Sequence, residues 1–222
     1  MRTTVMRISE RALYQNALEI RKSIPEKVRM MCVVKADAYG HGSVFAAKAM
    51  LRAGADAFAV AIVEEAAELR FAGITQPILI LGGGGESSLR EAVAADAAQA
   101  VYEKWMLDVL QDEAKRRGAR AKAHLKIDSG MSRIGVRGAD ALEELLEYWK
   151  SACPDVEMEG IFTHFCAADS DLEFTKRQNA NFAAALEHVR AAGFNPIAHA
   201  AATSAMAMPE CRYDMIRAGI GL

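Results

Sequence analysis

The 222-residue sequence contains no apolar run of about 18 residues, so it offers no candidate for a membrane-spanning helix. Its net charge is only −2, with an isoelectric point near 6.2, and it lacks the excess of charge that accompanies nucleic-acid or anionic-membrane binding. The first residues also lack the apolar core of a signal peptide. We therefore expect a cytoplasmic protein without a nucleic-acid or membrane partner.

Cysteine is scarce and scattered, and several familiar catalytic motifs are missing. The four cysteines, at positions 32, 153, 166 and 211, form no C-x-x-C pair and have no histidine spacing suited to zinc. Neither G-x-S-x-G nor a Walker loop occurs, and the "GGGG" at 82–85 lacks the Lys-Ser/Thr ending, which predicts an ordinary loop. Free, buried cysteines suit a reducing compartment.

Short apolar runs, by contrast, are abundant, and 52% of the residues are hydrophobic. Eight of these runs predict strands, at 28–35, 57–62, 77–82, 99–102, 121–128, 159–165, 196–201 and 215–222. Helical patterns separate them, for example at 63–73, 104–118, 139–152 and 174–193, and the first 24 residues predict an amphipathic helix. Continuous apolar strands alternating with helices indicate a parallel sheet covered on both faces. Eight such units predict an α/β fold of the (β/α)8 TIM-barrel type, with a doubly wound open sheet as the alternative.

No linker, repeat or low-complexity tract divides the chain, so residues 1–222 are predicted to form one barrel domain. The sequence stops at Leu222, on or just after the eighth predicted strand, and no eighth helix follows it. A barrel that ends there leaves part of its wall uncovered. We therefore expect the chain to be a fragment of a longer protein, truncated after the eighth strand.

Polar residues collect where the predicted strands end, which is where barrel enzymes carry their chemistry. They are Lys35, Asp37, Tyr39 and His41 after the first strand, Lys126, Asp128, Met131 and Arg133 at and after the fifth, His164 in the sixth, His199, Thr203 and Ser204 in and after the seventh, and Arg217 in the eighth. Several cations, two hydroxyls and glycine-flanked N–H groups suit a phosphorylated anion. The set holds no group of carboxylates or histidines at metal-ligand spacing, so we predict no metal.

Lys35 poses a particular question, because the apolar run "MMCVV" delivers a charged side chain. An amine held uncharged can form a Schiff base with an aldehyde, and pyridoxal phosphate is the aldehyde cofactor that also carries a phosphate. Plainer interpretations remain at this point. Lys35 could extend into water, His164 and His199 could be core histidines, and Arg133 and Arg217 could form ion pairs.

Four blocks in the sequence resemble those of bacterial alanine racemases and occur in the same order: "VVKADAYGHG", "HLKIDSGMSRIGV", "GIFTHFCAAD" and "YDMIRAGIGL". The resemblance runs from the first predicted helix to the last residue. It implies a pyridoxal 5'-phosphate-dependent isomerase that interconverts L- and D-alanine and supplies D-alanine for peptidoglycan. It also implies a small amino-acid substrate and, at full length, a homodimer whose second, β-rich domain is absent here.

The resemblance assigns roles residue by residue. Lys35 would hold the cofactor covalently and act as one of two acid/base groups. The phosphate would be held by the hydroxyls of Tyr39 and of Thr203 or Ser204, together with the backbone of Gly219 and Ile220. The family usually has Asn-Ser near the two hydroxyl positions, so either hydroxyl could meet the phosphate.

The remaining roles concern the ring and the substrate. By the same resemblance, Arg133 would contact the phenolic oxygen of the cofactor and help to position the substrate carboxylate, His164 would pack against the pyridine ring, and Arg217 would face the ring nitrogen. Lys126 matches a lysine that is carbamylated in many members. The second base of the family is a tyrosine from the β domain of a partner subunit, and no residue here matches it. We therefore expect this chain alone to bind cofactor poorly and to racemise little.

Other functions remain compatible with parts of the sequence. A non-enzymatic pyridoxal phosphate carrier is a one-domain barrel of similar length, and a serine racemase or a related decarboxylase would use the same cofactor. A barrel kept only as a binding module is the alternative from another class.

Overall fold

The computed structural model describes residues 4–222 and confirms the predicted (β/α)8 barrel. Eight parallel strands form one sheet, in the order β7-β6-β5-β4-β3-β2-β1-β8. They are β1 (Arg29–Val33), β2 (Ala57–Val60), β3 (Ile78–Ile80), β4 (Ala98–Val101), β5 (Ala121–Lys126), β6 (Val156–Phe162), β7 (Ile197–His199) and β8 (Met215–Ala218). Each observed strand overlaps one predicted from the apolar runs, because strands buried on both faces need apolar residues at successive positions.

Helices connect the strands and cover the outside of the barrel. They are α1 (Glu10–Ser23), the short turn α2 (Lys35–Gly40), α3 (Ser43–Arg52), α4 (Val63–Phe71), α5 (Glu86–Ala94), α6 (Lys104–Arg117), α7 (Ala139–Ala152) and α8 (Leu172–Ala191). Two short 3-10 helices, Thr203–Ala207 and Pro209–Cys211, lie between β7 and β8. Local signals set some helix ends: the Asp171 side chain accepts the N–H of Phe174 (2.9 Å) at the start of α8, and Gly118, with φ 63°, ends α6.

Two apolar layers surround the strands. Larger side chains fill the space between strands and helices, and a second cluster fills the barrel interior. The interior cluster is rich in alanine at β2 and β4 (Ala57, Ala59, Ala98 and Ala100). On β5, residues 121, 123 and 125 belong to the outer layer, so the alternation of side chains along the strand turns His124 and Lys126 inward. Small residues on one side therefore leave room for polar side chains on the other.

The barrel closes along a seam between β7 and β8. β1 pairs with both β2 and β8, whereas within residues 4–222 no regular ladder joins β7 to β8. Separate hydrogen bonds cross the seam instead: Asp214 N–H donates to Ala198 O (3.0 Å), and Arg217 N–H donates to Ala201 O (2.9 Å). Arg217 thus lies on the seam, beside the carboxyl end of β7.

The structure corrects the prediction at the amino terminus. Residues 1–3 of the predicted helix lie outside the described residues, and residues 4–9 have no regular secondary structure. The helix begins only at Glu10, because the Ser9 hydroxyl accepts the N–H of Ala12 (3.2 Å) and caps it. No helix within residues 4–222 combines the length and the apolar character that crossing a bilayer requires.

Candidate active site

A cavity of about 390 Å³ lies at the carboxyl ends of the strands. All ten residues that the family resemblance singled out line it, although eight come from the four separate blocks and Thr203 and Ser204 lie between two of them: Lys35, Tyr39, Lys126, Arg133, His164, Thr203, Ser204, Arg217, Gly219 and Ile220. The barrel topology alone brings them together, since parallel strands end on the same face. Their convergence makes this cavity the candidate site.

Lys35 reaches the cavity through a left-handed turn. Ala36, Asp37, Ala38 and Tyr39 all have φ between 51° and 55°, and none of them is glycine. The left-handed helical conformation costs an L-residue roughly 1–2 kcal/mol, so four in a row represent stored strain. Since a helical turn contains about 3.6 residues, it places Lys35 and Tyr39, four residues apart, on the same side of the turn, against the cavity.

Hydrogen bonds from neighbouring elements hold this turn in place. The Glu65 carboxylate on α4 accepts the N–H of Ala36 (2.6 Å) and also the N–H of Ala61 (2.6 Å). The Asp37 carboxylate accepts the N–H of Ser43 (2.7 Å), and the His41 ring lies 2.8 Å from Ala38 O. Charge-assisted bonds of this kind offset strain in the backbone. The position of Lys35 is therefore fixed by its surroundings rather than by its own strand.

Arg217 is buried inside the barrel, and its two terminal nitrogens meet four acceptors. Its NH1 donates to Nδ1 and to the carbonyl oxygen of His199 (both 2.9 Å), and its NH2 donates to the carbonyls of Thr163 (2.7 Å) and Ala200 (3.0 Å). Within residues 4–222, its Nε–H has no acceptor. Burial lowers the pKa of Arg217 to about 10, which still leaves the side chain charged at neutral pH.

Lys126 lies beside Arg217 and is 3% exposed. Its Nζ donates to Ile127 O (2.8 Å) and lies 5.3 Å from the centre of the Phe162 ring, which also packs against the Arg217 guanidinium at 5.5 Å. Burial and the charge of Arg217 lower the pKa of Lys126 to about 7. A large fraction of this amine is therefore uncharged near neutral pH.

The cavity carries an uncompensated positive charge. Four basic side chains line it (Lys35, Lys126, Arg133 and Arg217), and within the described part of the chain none of them forms an ion pair. The one carboxylate on the wall, Asp169, is exposed. The pKa of His164 falls to about 3, first because the ring is desolvated and then because it faces these four cations. Such a field favours an anionic ligand.

Hydroxyl and backbone groups line the cavity near the end of β8. Gly219 N–H donates to the Thr203 hydroxyl at 3.3 Å, a long bond, and within residues 4–222 Ile220 N–H meets no acceptor. The Ser204 side chain is exposed and lines the same wall. A Cβ at Gly219 would lie 2.9 Å from the Tyr39 hydroxyl, so a side chain at this position would displace the Tyr39 hydroxyl. Two N–H groups and three hydroxyls thus lie together in a form that suits a phosphate.

Some residues important to the site were not assigned from the sequence. The sequence allows His199 to be either a core or a site histidine, and it is buried against Arg217 and stacked on Phe162 (ring centres 5.0 Å apart). His124 bonds to His199, and Glu159 bonds to His124; the four sequence blocks assign a role to neither. One signal was available, since His124 precedes Lys126 by two residues and both must face the barrel interior. Glu65, which holds the turn at Lys35, carries no such signal.

Other residues of the strand-end set support the loops. The Asp128 carboxylate accepts the N–H groups of Gly130 and Ser132 (both 3.0 Å) and shapes the loop that carries Arg133. Among the tyrosines of residues 4–222, only Tyr39 lines the cavity. Tyr148 and Tyr213 bond to Asp108 and Asn179 elsewhere in the fold. Within the same residues, no three His, Cys, Asp or Glu side chains meet as possible metal ligands.

Comparison with known proteins gives a consistent result. The family model described as "Alanine racemase, N-terminal domain" matches residues 8–222. Alanine racemase 1 of Oceanobacillus iheyensis is 40% identical over 219 residues, which cover 97% of this chain and 58% of that protein. Alanine racemase 2 of Bacillus subtilis is 40% identical over 218 residues, covering 95% and 55%.

Solved structures agree with the sequence relatives. Alanine racemase from Clostridium difficile 630 superposes with a TM-score of 0.90 at 35% identity, over 94% of this chain and 55% of that one. Alanine racemase from Bacillus anthracis, with bound L-Ala-P, gives a TM-score of 0.89 at 35% identity, over 96% and 55%. The chain therefore spans between half and two thirds of the length of the proteins it matches.

Proposed function

The chain belongs to the alanine racemase family, and from that premise we propose that it forms the cofactor-binding barrel of a pyridoxal 5'-phosphate-dependent amino-acid racemase acting on alanine. One observation carries the proposal: residues from four sequence blocks converge on a single cation-rich cavity with Lys35 on its wall. The family supplies the reaction, and the cavity supplies groups of the right chemistry for it. Production of D-alanine for peptidoglycan in the cytoplasm is the accompanying biological role.

The residues present fit pyridoxal phosphate. The phosphate suits the N–H groups of Gly219 and Ile220 with the hydroxyls of Tyr39, Thr203 and Ser204, where glycine leaves space for close approach. Lys35 would hold the aldehyde carbon, and the free Nε–H of Arg217 would meet the ring nitrogen. When bound, the cofactor supplies the electron sink that makes the Cα proton of an amino acid removable.

The side chains then have separate tasks. The Lys35 amine would take the proton from one face of Cα and return it there in the opposite direction of reaction. Arg217 would donate a hydrogen bond to the ring nitrogen but not a proton, because its pKa of about 10 lies well above neutral pH. His164 would pack beside the ring as a neutral imidazole, since its pKa is about 3.

Arg133 would orient the substrate. It is exposed at the mouth of the cavity, in the loop shaped by Asp128, and would meet the phenolic oxygen of the cofactor and the carboxylate of the amino acid. Lys126 would help to position it after carbamylation. The neutral amine can attack CO2, forming an N–C bond and losing a proton, and the resulting carbamate would place a negative charge among the cations. A carbamate resonance after addition of ¹³C-bicarbonate, absent from Lys126→Met, would support this step.

Racemisation also needs a proton on the opposite face of Cα. Tyr39, the only tyrosine of residues 4–222 on the wall, is already assigned to the phosphate. By the family resemblance, the second base would be a tyrosine from the β domain of a partner subunit in a homodimer. A barrel with one base can bind the cofactor without racemising an amino acid, so a non-enzymatic pyridoxal phosphate carrier is the alternative function. Serine is the alternative substrate.

Cofactor binding is the first part of the test. The chain is mixed with pyridoxal phosphate, reduced with borohydride and digested, and the labelled lysine is located by mass spectrometry. We expect the label on Lys35, its loss in Lys35→Ala, and no change in Lys48→Ala, an exposed lysine on α3. A label distributed over surface lysines would contradict the proposal.

Chirality is the second part. The protein at its natural full length is incubated with L-alanine and with L-serine, and the D-enantiomers are measured by chiral chromatography. We expect D-alanine to form faster than D-serine, and the 222-residue chain alone to be poorly active. Cofactor bound at Lys35 without racemisation at full length would favour the carrier, and robust turnover by the short chain would overturn the assignment of the second base.

A further inference from the structure

A line of hydrogen bonds crosses the barrel interior from the candidate site to the opposite end. Arg217 NH1 lies 2.9 Å from His199 Nδ1, His199 Nε2 lies 2.8 Å from His124 Nδ1, and His124 Nε2 lies 3.1 Å from a Glu159 carboxylate oxygen. His124 and Glu159 line a second cavity, of about 320 Å³, at the amino ends of the strands. One end of the line thus reaches the site and the other reaches the far mouth of the barrel.

The chemistry of the two ends fixes the direction of every bond between them. A guanidinium can only donate, so His199 Nδ1 must accept and its proton must lie on Nε2. That proton is donated to His124 Nδ1, so the proton of His124 also lies on Nε2 and is donated to the carboxylate, which can only accept. Both imidazoles are therefore neutral. Burial and the charge of Arg217 lower the pKa of His199 well below its usual value, which agrees with this state.

The strands show local features that serve this line. Ala123 pairs with Met158 and His124 pairs with Gly160, so Glu159 is an extra residue that forms a bulge in β6. The bulge turns Glu159 toward His124. A Cβ at Gly160 would collide with the His124 ring, so glycine is required beside it. His199 is held flat against Phe162, with an interplanar angle of 2°.

The line of hydrogen bonds also connects the buried positive charge of Arg217 to a carboxylate. Arg217 is a buried cation whose direct partners are carbonyls and one imidazole nitrogen, and a buried charge without a counter-ion is costly. The hydrogen bond from His124 lowers the pKa of Glu159, so this carboxylate is negative at neutral pH. Glu159 is the anion to which Arg217 is connected by hydrogen bonds, across two polarised rings.

We propose that Glu159 and His124 are positioning residues for Arg217, acting through His199 to fix the orientation of the guanidinium and to balance its charge from the far end of the barrel. This inference rests on the proposed function for its catalytic meaning. The free Nε–H of Arg217, which would meet the ring nitrogen of the cofactor, is oriented because the four bonds made by NH1 and NH2 fix the guanidinium. Neither Glu159 nor His124 lines the cavity of the site.

The test uses ¹⁵N-histidine NMR on the protein at its natural full length, without cofactor. These 222 residues contribute five histidines, and single histidine-to-glutamine variants assign their resonances. We expect neutral His124 and His199 with the proton on Nε2 at pH 7. Glu159→Leu should move the ¹⁵N resonances of His199, which residue 159 does not contact, and Glu159→Gln, which keeps an acceptor but removes the charge, should move them less. Glu157→Leu, an exposed glutamate on the same strand, is the matched control and should move nothing.

Kinetics of the cofactor-loaded protein provide the second readout. Loss of one buried acceptor corresponds to a roughly tenfold fall in kcat for Glu159→Leu, with KM within about twofold and partial recovery in Glu159→Gln. An unchanged His199 signal in Glu159→Leu, or a charged or Nδ1-protonated histidine in the unaltered protein, overturns the inference. If Glu159→Leu does not fold, the unaltered protein and Glu159→Gln still decide it. A protein that shows the expected NMR result but racemises nothing contradicts the proposed function instead.

Discussion

The two ends of the barrel are built by the same eight strands and differ in how their charges are satisfied. At the amino ends, acids have partners: Asp56 lies 3.5 Å from Arg21, Asp96 lies 2.6 Å from Lys122, and Glu159 bonds to His124. At the carboxyl ends, the four cations of the cavity have no acidic partner within residues 4–222.

The difference shows where a ligand is expected. Acids with partners at one end stabilise the fold or leave it unchanged, whereas at the other end burying Arg217 and Lys126 without an acidic partner costs stability until an anion arrives. Burial first, and then the neighbouring positive charges, lower the pKa values of Lys126 and His164. The site is therefore destabilised both by positive charge without an acidic partner and by the strained left-handed turn after Lys35.

Among the variants that test this comparison, Arg217→Leu should change the free energy of unfolding most. The change leaves three carbonyls and His199 Nδ1 without their donor beside the seam of the barrel. We expect a loss of about 3–5 kcal/mol in the free energy of unfolding, measured with urea. Arg29→Leu, an exposed arginine at the other end, should change it by less than about 0.5 kcal/mol. Equal losses of unfolding free energy in Arg217→Leu and Arg29→Leu would contradict the difference between the two ends of the barrel.

Lys126→Met should show a smaller effect, which depends on pH. Because the pKa of Lys126 is about 7 in the fold and 10.5 in the unfolded chain, the unfolded state binds more protons between these values and stability rises with pH across this range. The variant should be the more stable protein at pH 7 by about 2–4 kcal/mol, and this advantage should shrink toward pH 10. Urea unfolding at pH 7, 8.5 and 10 in CO2-free buffer measures it, and a constant difference would exclude a neutral Lys126.

Arg133→Ala separates binding from stability. Arg133 is exposed and makes no side-chain hydrogen bond within the described residues, so unfolding should change by less than about 0.5 kcal/mol. Loss of a charge-assisted bond should weaken pyridoxal phosphate binding about tenfold, followed by its visible absorbance. Arg137→Ala, in the same loop but off the cavity wall, is the control. Equal affinities in the two variants would remove Arg133 from the site.

The smallest effects concern the two hydroxyls, Thr203 and Ser204. Ser204→Ala should weaken inorganic phosphate binding about threefold without changing stability. Thr203→Val should also cost about 1 kcal/mol of stability, because Gly219 N–H loses its acceptor. Isothermal titration with phosphate and urea unfolding distinguish the two. No change in affinity in either variant would place the phosphate elsewhere.

Much of the fold followed from the sequence because each strand is a short apolar run buried on both faces. The convergence of Lys35, Arg133, His164 and Arg217 on one cavity was predictable because barrel topology turns residues at strand ends into neighbours, whereas their roles stay predictions. The amino-terminal helix was predicted too long. Its capping residue, Ser9, was visible in the sequence and outweighed the apolar periodicity before it.

The features that were not predicted depend on tertiary contacts. Nothing local to Ala36, Asp37, Ala38 and Tyr39 favours a left-handed turn, which exists because Glu65, 29 residues after Ala36, accepts the Ala36 N–H. The bulge at Glu159 likewise needs its partner strand to be recognised. Local sequence patterns predict helices and strands. Backbone strain and hydrogen bonds between distant residues form only when these helices and strands pack together.

The most direct test of the central claim is the titration of His164 by NMR in the protein without cofactor. Burial of the ring and then the positive charges around the cavity lower its pKa to about 3, so His164 should remain neutral at every pH above 4.5. Since the unfolded chain binds this proton near pH 6.5, stability should fall as the pH drops below that value. Addition of phosphate should raise the pKa. An imidazole that titrates near 6.5, unaffected by phosphate, would contradict the account.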